Sequence, residues 1–292
     1  MSRPDHTPIV PREKLDFQLN DPDIPRYFIK DDPYRSRFFD ALSTMFPVGE
    51  RFFMECVRDY RSQITDKEIL QDIKDFIRQE GQHTMVHNQY NARLKTQGID
   101  VDMILRKHDA WMFGFQRKRL PKSYTLALTA AAEHLTAISA HALFDNRGVF
   151  ETADPRVRAM YAWHAIEEVE HRSVAYDVMQ QTAKVGYFVR CLAMVEAMVT
   201  FLVMISVISN YMLKCDGFSF GQRLKLRAKG FWWVVKPGGF LSPVLGKILS
   251  YFKPGFHPNQ AGAMPGCNLW METYERTRNP VLAGDVLHAA GA

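Results

Sequence analysis

The chain has 292 residues, 47% of them hydrophobic, which is enough for one large domain or for one domain with an appendage. The formal net charge of +5 is small, and the basic cluster at residues 223–236 is short, so no nucleic-acid partner is expected. The four cysteines are scattered without a Cys-x-x-Cys pair, which argues against a zinc ribbon or disulfide scaffold and indicates a reducing, cytoplasmic compartment.

The N-terminal half carries the first two predicted long helices. Residues 1–30 are polar and contain no signal-peptide core, and we predict that they form a loosely ordered arm. Pro47 is expected to start or kink the first helix, which carries Glu50. Thr65 and Glu68 form the pattern of a capping box, which predicts the start of a second helix that can run to Gly98.

Two further helices are predicted downstream. Ser123 is expected to cap the third helix, which ends near residues 146–148, and Asp154 followed by Pro155 is a strong start for the fourth, which ends before Gly186. Strand signals are weak throughout. We therefore predict an all-α protein in which residues 31–186 form a ferritin-like four-helix bundle with additional C-terminal helices.

Charged residues occupy the apolar face of these helices. Glu80, Glu133 and Glu168 each stand at steps of three or four residues from apolar neighbours, which predicts that they point into the core. An unpaired carboxylate is very costly there. His83 and His171 each follow a glutamate by three residues, so that a carboxylate and an imidazole lie one turn apart on one helix face.

A lone glutamate precedes each of these Glu-x-x-His pairs. Glu50 lies 30 residues before Glu80, and Glu133 lies 35 residues before Glu168. This order is typical of ferritin-like proteins that bind two iron or two manganese ions. Two divalent ions balance the charge of four glutamates, and the mixed ligands favour iron, with manganese or zinc as alternatives. The predicted metal ligands are Glu50, Glu80, His83, Glu133, Glu168 and His171.

Three other side chains are candidates for the site. His87 and His164 are in phase with the ligands, and each is either a further metal ligand or a hydrogen-bond partner of one. Thr136 lies one turn from Glu133 and is a candidate for handling oxygen or protons in catalysis, with an ordinary core threonine as the alternative. Glu170 lies off the apolar face and is expected to be solvent-exposed or to support a ligand.

The region at residues 187–292 begins with a long apolar stretch. Residues 191–213 contain one charge, Glu196, and are long enough to cross a bilayer of about 30 Å. Basic residues follow, together with Trp232 and Trp233, as at a membrane interface. Three arrangements stay open: burial on the bundle or in a homodimer, peripheral contact with the inner face of the membrane, or a true span. The region is predicted to pack on the bundle or at a membrane surface.

Several segments resemble a bacterial family catalogued as predicted metal-dependent hydrolases. They lie at residues 46–53, 79–87, 126–134, 163–174 and 254–258, so the resemblance covers most of residues 35–260. It implies a metal-binding helical protein. The ligand pattern also resembles that of di-iron oxygenases and oxidases of the ferritin-like superfamily. His87 and His164 exceed the minimal six-ligand set and resemble the added histidine of N-oxygenase-type sites.

The residues and the resemblance leave three functions open. The ligand pattern leads us to expect a di-iron enzyme that activates oxygen to oxidise a small hydrophobic substrate. It would need an external electron donor, because the chain contains no flavin or iron–sulfur motif. The first alternative is a hydrolase in which two metals activate a water that attacks an ester, amide or phosphoester. The second is a non-enzymatic metal-binding protein.

Overall fold

The computed structural model describes residues 8–145, 147–262 and 266–290, and most of these residues are helical. Within these ranges the extended backbone pairs only at an isolated bridge between Ile29 and Ala153, and no strand is formed. The prediction of an all-α protein is therefore confirmed.

The helices follow one another in two groups. The first comprises α1 (Pro33–Arg58), α2 (Lys67–Thr96), α3 (Val101–Asp109), a π-helical segment (Ala110–Gln116), α4 (Arg117–Arg119) and α5 (Lys122–Asp145). The second comprises α6 (Pro155–His171), α7 (Val174–Asp177), a π-helical segment (Val178–Thr182), α8 (Tyr187–Cys215), α9 (Phe220–Val235), α10 (Leu245–Ser250), α11 (Cys267–Thr277) and α12 (Pro280–Ala289). Helices α1, α2, α6 and α5 contact one another in a ring, and this ring encloses the candidate site.

Side-chain caps define where the site helices begin. Asp32 accepts a hydrogen bond from the amide of Arg35 at the start of α1, and this helix continues through Pro47. Of the two alternatives at Pro47, a helix start is therefore excluded, and a kink there stays a prediction. Asp66, rather than Thr65, caps α2 through the amides of Glu68 and Ile69. The predicted start of α6 at Asp154 is confirmed, since its carboxylate accepts a hydrogen bond from the amide of Arg156.

The apolar faces that the sequence predicts for α2 and α6 do point into the core. On α2, Ile73, Phe76 and Tyr90 are fully buried together with the ligand-type residues between them. On α6, Val157 and Met160 are fully buried as well. Burial of these faces provides the hydrophobic stabilisation that holds the charged groups inside.

The N-terminal segment lies against the bundle. Residues 1–7 of the predicted loose arm lie outside the described ranges, but Leu15, Phe17, Phe28 and Ile29 are buried, and the ring of Phe17 packs 5.4 Å from that of Trp163. A polar average composition hides these regularly placed apolar side chains, which is why the sequence suggested a loose arm. The proposed division into a bundle at 31–186 and a region at 187–292 stays a prediction.

The C-terminal helices cover the outside of the bundle. Helix α8 packs on α1 and α5, α9 packs on α8 and α1, and α12 packs on α6. Among the described residues, α8 is the one helix that is long and apolar enough to cross a membrane, and 22% of its most apolar window is buried. One such helix is weak evidence for a membrane span.

Candidate metal centre

Four helices bring the predicted ligands together in the interior. Glu50 lies on α1, Glu80 and His83 lie on α2, and Glu133 lies on α5. Helix α6 contributes both Glu168 and His171. All six side chains are buried, as the helical periodicity predicted.

The imidazoles of His83 and His171 each approach carboxylates of their own helix and of other helices. His171 Nε2 lies 3.3 Å from Glu133 Oε2, 3.5 Å from Glu80 Oε1 and 3.6 Å from Glu168 Oε1. His83 Nδ1 lies 3.6 Å from Glu80 Oε2 and 3.7 Å from Glu168 Oε1. The two Glu-x-x-His pairs therefore form one continuous cluster.

Three sets of ligand atoms are close enough to surround a metal ion. Within each set the atoms lie within 4.8 Å of one another, and the sets are Glu50 with His83 and His164, Glu80 with His83 and Glu168, and Glu80 with Glu133 and His171. Glu80 and His83 each belong to two sets. The structure thus adds His164 to the six predicted residues at the cluster, whereas His87 belongs to none of these sets.

Two imidazoles are fixed by hydrogen bonds on the side that faces away from the carboxylates. His83 Nε2–H donates to Glu167 Oε2 at 3.1 Å, and His171 Nδ1–H donates to Gln79 Oε1 at 2.8 Å. The other nitrogens, His83 Nδ1 and His171 Nε2, have no hydrogen-bond partner and face the cluster. This division between an anchored and a free nitrogen is typical of histidines that ligate metals.

A chain of neutral side chains holds the third imidazole. His164 Nδ1–H donates to His87 Nε2 at 2.8 Å, and His87 Nδ1–H donates to Ser43 Oγ at 2.8 Å. The hydroxyl of Ser43 in turn donates to Asn91 Oδ1 at 2.9 Å. These directions leave the lone pair of His164 Nε2 free on the cluster side, so His87 orients a ligand-type histidine and does not itself reach the cluster.

An arginine from the N-terminal segment binds two glutamates that lie next to the cluster. Arg12 donates to Glu167 Oε1 at 3.1 Å and to Glu170 Oε1 at 2.7 Å. Gln79 Nε2 donates to Glu170 Oε2 at 2.7 Å while its oxygen holds His171. Sequence reasoning missed Arg12 and Gln79. The only sequence signal for them was the pair Glu167 and Glu170 on the buried helix α6, because buried carboxylates require a cation or a hydrogen-bond donor. The local sequence does not identify that partner.

The pKa values of the carboxyl groups reflect crowding in a dry site. Burial raises the pKa of Glu80 well above its usual value, and the negative charges of Glu133 and Glu168 raise it further. Burial likewise raises the pKa of Glu50, although a hydrogen bond from the Thr84 hydroxyl at 2.8 Å opposes the shift. These groups therefore require protons or other cations nearby to remain buried together.

The histidines divide into two electrostatic classes. Burial lowers the pKa of His83 to about 3 and that of His164 to about 4, so both are neutral and able to offer a lone pair. Burial also disfavours the charged form of His171, but the negative charges of Glu168 and Glu133 beside it raise its pKa to about 10. Glu168 is correspondingly held well below its usual pKa, against the effect of its burial, by the charge of His171.

The unpartnered atoms of the cluster fit a divalent metal. Both carboxylate oxygens of Glu80 and of Glu133 are buried without a hydrogen-bond partner, as are Glu50 Oε1 and Glu168 Oε2. Buried polar atoms nearly always have partners, so several orphaned oxygens facing free imidazole nitrogens are the arrangement expected of a cation-binding site. Carboxylate oxygens mixed with imidazole nitrogens suit Mn²⁺, Fe²⁺ or Zn²⁺.

Two small apolar cavities adjoin the cluster. One of about 100 Å³ lies between α1, α5 and α8 and is lined by Glu50 among mostly apolar side chains. The other, of about 40 Å³, is lined by His164 and Glu168. Phe46 and Phe201 line both cavities, so the two spaces adjoin.

Thr136 also lines both cavities, but its hydroxyl is bound within its own helix. It donates to the carbonyl of Glu133 at 2.9 Å and to that of Ala132 at 3.3 Å. It belongs to none of the three ligand sets. Its catalytic role stays a prediction.

Comparison with known proteins gives one family. No curated protein and no solved structure matches the chain. Residues 11–262 match the family described as "Predicted metal-dependent hydrolase", a stretch that contains every residue of the cluster.

This match overturns our expectation of a di-iron enzyme that activates oxygen. The residues could not exclude hydrolysis, because the same carboxylates and imidazoles can hold metals that serve either chemistry. The match covers most of the chain, and the chain therefore belongs to the family of predicted metal-dependent hydrolases.

Proposed function

We propose that the protein is a hydrolase that uses two divalent metal ions held in the cluster between α1, α2, α5 and α6. One observation carries the proposal: three imidazoles, each anchored on one nitrogen, turn a free nitrogen towards four buried carboxylates. The family description supplies the class of reaction.

The ligand sets support two ions rather than one. Glu50, His83 and His164 would hold the first, and Glu80, Glu133 and His171 would hold the second. Glu168 lies near atoms of both sets, at 3.0 Å from His164 Nε2 and 3.6 Å from His171 Nε2. Two divalent ions would match the charge of the four glutamates and would replace the protons that burial otherwise favours on Glu50 and Glu80.

Bound divalent ions supply Lewis acidity and lower the pKa of water, so that hydroxide becomes available near neutral pH. In hydrolysis the water oxygen bonds to the acyl or phosphoryl centre, the bond to the leaving group breaks, and the leaving group takes up a proton. The chain's own residues orient the ligands, through Glu167, Gln79 and His87. Phe46 and Phe201 line the cavities beside the cluster, where their apolar rings would disfavour bulk water.

Metal-dependent hydrolysis tests this function. Metal-free protein is loaded with Mn²⁺, Zn²⁺ or, without oxygen, Fe²⁺, and is then assayed with para-nitrophenyl acetate, para-nitrophenyl decanoate, an anilide and bis(para-nitrophenyl) phosphate. We expect release of nitrophenol or aniline with at least one metal, and its loss in Glu80→Ala, because Glu80 belongs to two ligand sets.

The matched control is Glu275→Ala, which removes an exposed carboxylate on α11 and is expected to retain both metal and activity. Full metal content in the wild type without turnover of any of these substrates would contradict the proposed function. Equal activity in Glu80→Ala would contradict the placement of the site.

A further inference from the structure

The outer face of α8 is apolar and uncovered. Phe188 is 84% exposed, Val199 is 56% exposed and Val207 is 60% exposed. The single charge within residues 191–213 points inward, because Glu196 accepts hydrogen bonds from the Tyr124 hydroxyl at 2.6 Å and from Gln116 Nε2 at 3.1 Å. The outward side of this stretch therefore presents no charge to its surroundings.

Helix α9 extends this face with aromatic and basic side chains. Phe231 is 65% exposed and Trp232 is 61% exposed, while Lys225 and Lys229 on the same helix are also exposed. Exposed tryptophan beside lysine is the composition of a membrane interface.

The chain segment that includes most of this face is strongly one-sided in charge. Between residues 197 and 262 the one acidic residue is Asp216, and its carboxylate is bound by Arg37 at 2.6 Å and by Arg26 at 3.0 Å. The basic residues of the same stretch are Lys214, Arg223, Lys225, Arg227, Lys229, Lys236, Lys247 and Lys253. Such a surface complements anionic lipid head groups, each nearby cation adding about 1 kcal/mol of attraction.

The same helix forms a wall of the cavity beside the metal cluster. Ala197, Thr200 and Phe201 of α8 line the cavity of about 100 Å³ that also contains Glu50. None of the described residues that line this cavity is lysine or arginine, so the space suits a neutral apolar group better than a phosphate ester. A cavity of roughly this size accommodates a benzene-sized group, which corresponds to part of an acyl chain.

We propose that the exposed face of α8 and α9 binds an anionic membrane leaflet, and that the substrate is a carboxylic ester or amide with a long apolar chain taken from that leaflet. The chain passes α8 into the cavity, and its carbonyl reaches the cluster at Glu50. The remainder of the chain stays along α8 in the lipid. Because α1 and α5 pack on the inner side of α8, this helix lies in one leaflet instead of crossing the bilayer. The substrate class rests on the proposed hydrolase function.

Vesicle binding tests the membrane face without reference to activity. The full chain is sedimented with phosphatidylcholine vesicles that contain or lack phosphatidylglycerol. We expect binding that requires the anionic lipid, and a loss of at least about tenfold in affinity in the double variant Val199→Glu, Val203→Glu, which places charge on the exposed side of α8.

The control adds the same charge elsewhere. Gln63→Glu with Gln89→Glu changes two exposed positions away from this face and is expected to retain vesicle binding. No binding to anionic vesicles by the wild type overturns the membrane face. A dimer in solution that the α8 double variant converts to monomer, without vesicle binding, assigns the face to a second copy of the chain and overturns the proposal as well.

A cavity-filling variant tests the substrate class. Ala197→Phe is compared with Val207→Phe, which introduces the same phenyl side chain on α8 at a residue that does not line the cavity. We expect the wild type to hydrolyse para-nitrophenyl decanoate with a kcat/KM at least about tenfold above that for the acetate, and Ala197→Phe alone to lose this preference while it still cleaves the acetate. Ala197→Phe is also expected to weaken cis-parinaric acid binding to the metal-free protein by about tenfold.

The outcomes separate the two levels of the proposal. Metal-dependent cleavage of acetate and decanoate at equal rates, or equal cis-parinaric acid binding by both variants, overturns the substrate class and leaves the hydrolase intact. Absence of any metal-dependent hydrolysis overturns the proposed function, whereas vesicle sedimentation still decides the membrane face.

Discussion

His87 illustrates how the site depends on a residue that lies outside the ligand sets. Its imidazole links His164 to Ser43, and the Glu-x-x-His pattern gave no means to decide whether it was a ligand or a support. The position of a residue in the helical repeat predicts the helix face on which its side chain lies. It does not predict which of two histidines on that face extends to the metal.

We expect His87→Phe to lower the affinity of the site for Mn²⁺ by roughly 10- to 100-fold, because His164 loses the hydrogen bond that orients it. Competition with a fluorescent chelator measures the change. His257→Phe makes the same substitution beside Asp177, outside the ligand sets, and should leave the affinity as it is. Unchanged affinity in His87→Phe would exclude a supporting role.

His108 provides a pH-dependent contribution to stability outside the metal cluster. Its Nδ1 is buried without a hydrogen-bond partner, and burial lowers the pKa of the imidazole to about 4 from 6.5. The unfolded chain therefore binds the proton first as the pH falls. The stability is fully present above about pH 6.5 and is lost as the pH falls to about 4.

Replacement of His108 by leucine should remove this part of the acid sensitivity, which amounts to about 3 kcal/mol over that window. Urea unfolding of both proteins at pH 7 and pH 4.5 gives the difference in the free energy of unfolding. If the free energy of unfolding of the wild type falls no more between these pH values than that of His108→Leu, this assignment is contradicted.

At the scale of elements, the N-terminal segment is the part that the sequence described least well. Arg12 lies 155 residues before Glu167, with which it pairs in the interior. Local patterns contain no information about such a pairing. Helix bounds and inward faces were predictable because they depend on caps and on periods of three and four residues.

The substitution Arg12→Met should destabilise the fold by about 3–5 kcal/mol, because Glu167 and Glu170 would keep buried charges without their cation. In contrast, Arg78→Met breaks an exposed pair with Glu13 of the same segment and should change stability by at most about 1 kcal/mol. Guanidinium unfolding of both variants compares them. Similar effects would show that the segment does not depend on the buried pair.

Helix α9 reaches α1 only because it has a glycine at the contact. A Cβ on Gly230 would clash with the ring of Tyr34, whereas a Cβ on Gly221 of the same helix would meet no atom within 4 Å. Gly230→Ala should therefore lower stability by about 1–3 kcal/mol. Gly221→Ala should raise it by about 0.5–1 kcal/mol through helix propensity. Thermal unfolding measures both, and a stabilised Gly230→Ala would contradict this packing.

For the whole molecule, the sequence predicted an all-α protein with charged groups inside, because helical periodicity and the cost of buried charge are general rules. It did not predict the reaction. Ligand identity defines a class of metals, while the outcome of the chemistry depends on the water, substrate and cavity that surround them. The family match corrected the expected reaction, and the ligand assignment itself stays a prediction.

Anomalous diffraction from manganese-loaded crystals tests the metal centre most directly. We predict two anomalous peaks, one within coordination distance of Glu50, His83 and His164, and one beside Glu80, Glu133 and His171. Absence of anomalous density between these side chains, in crystals grown from protein with measured bound manganese, would contradict the account.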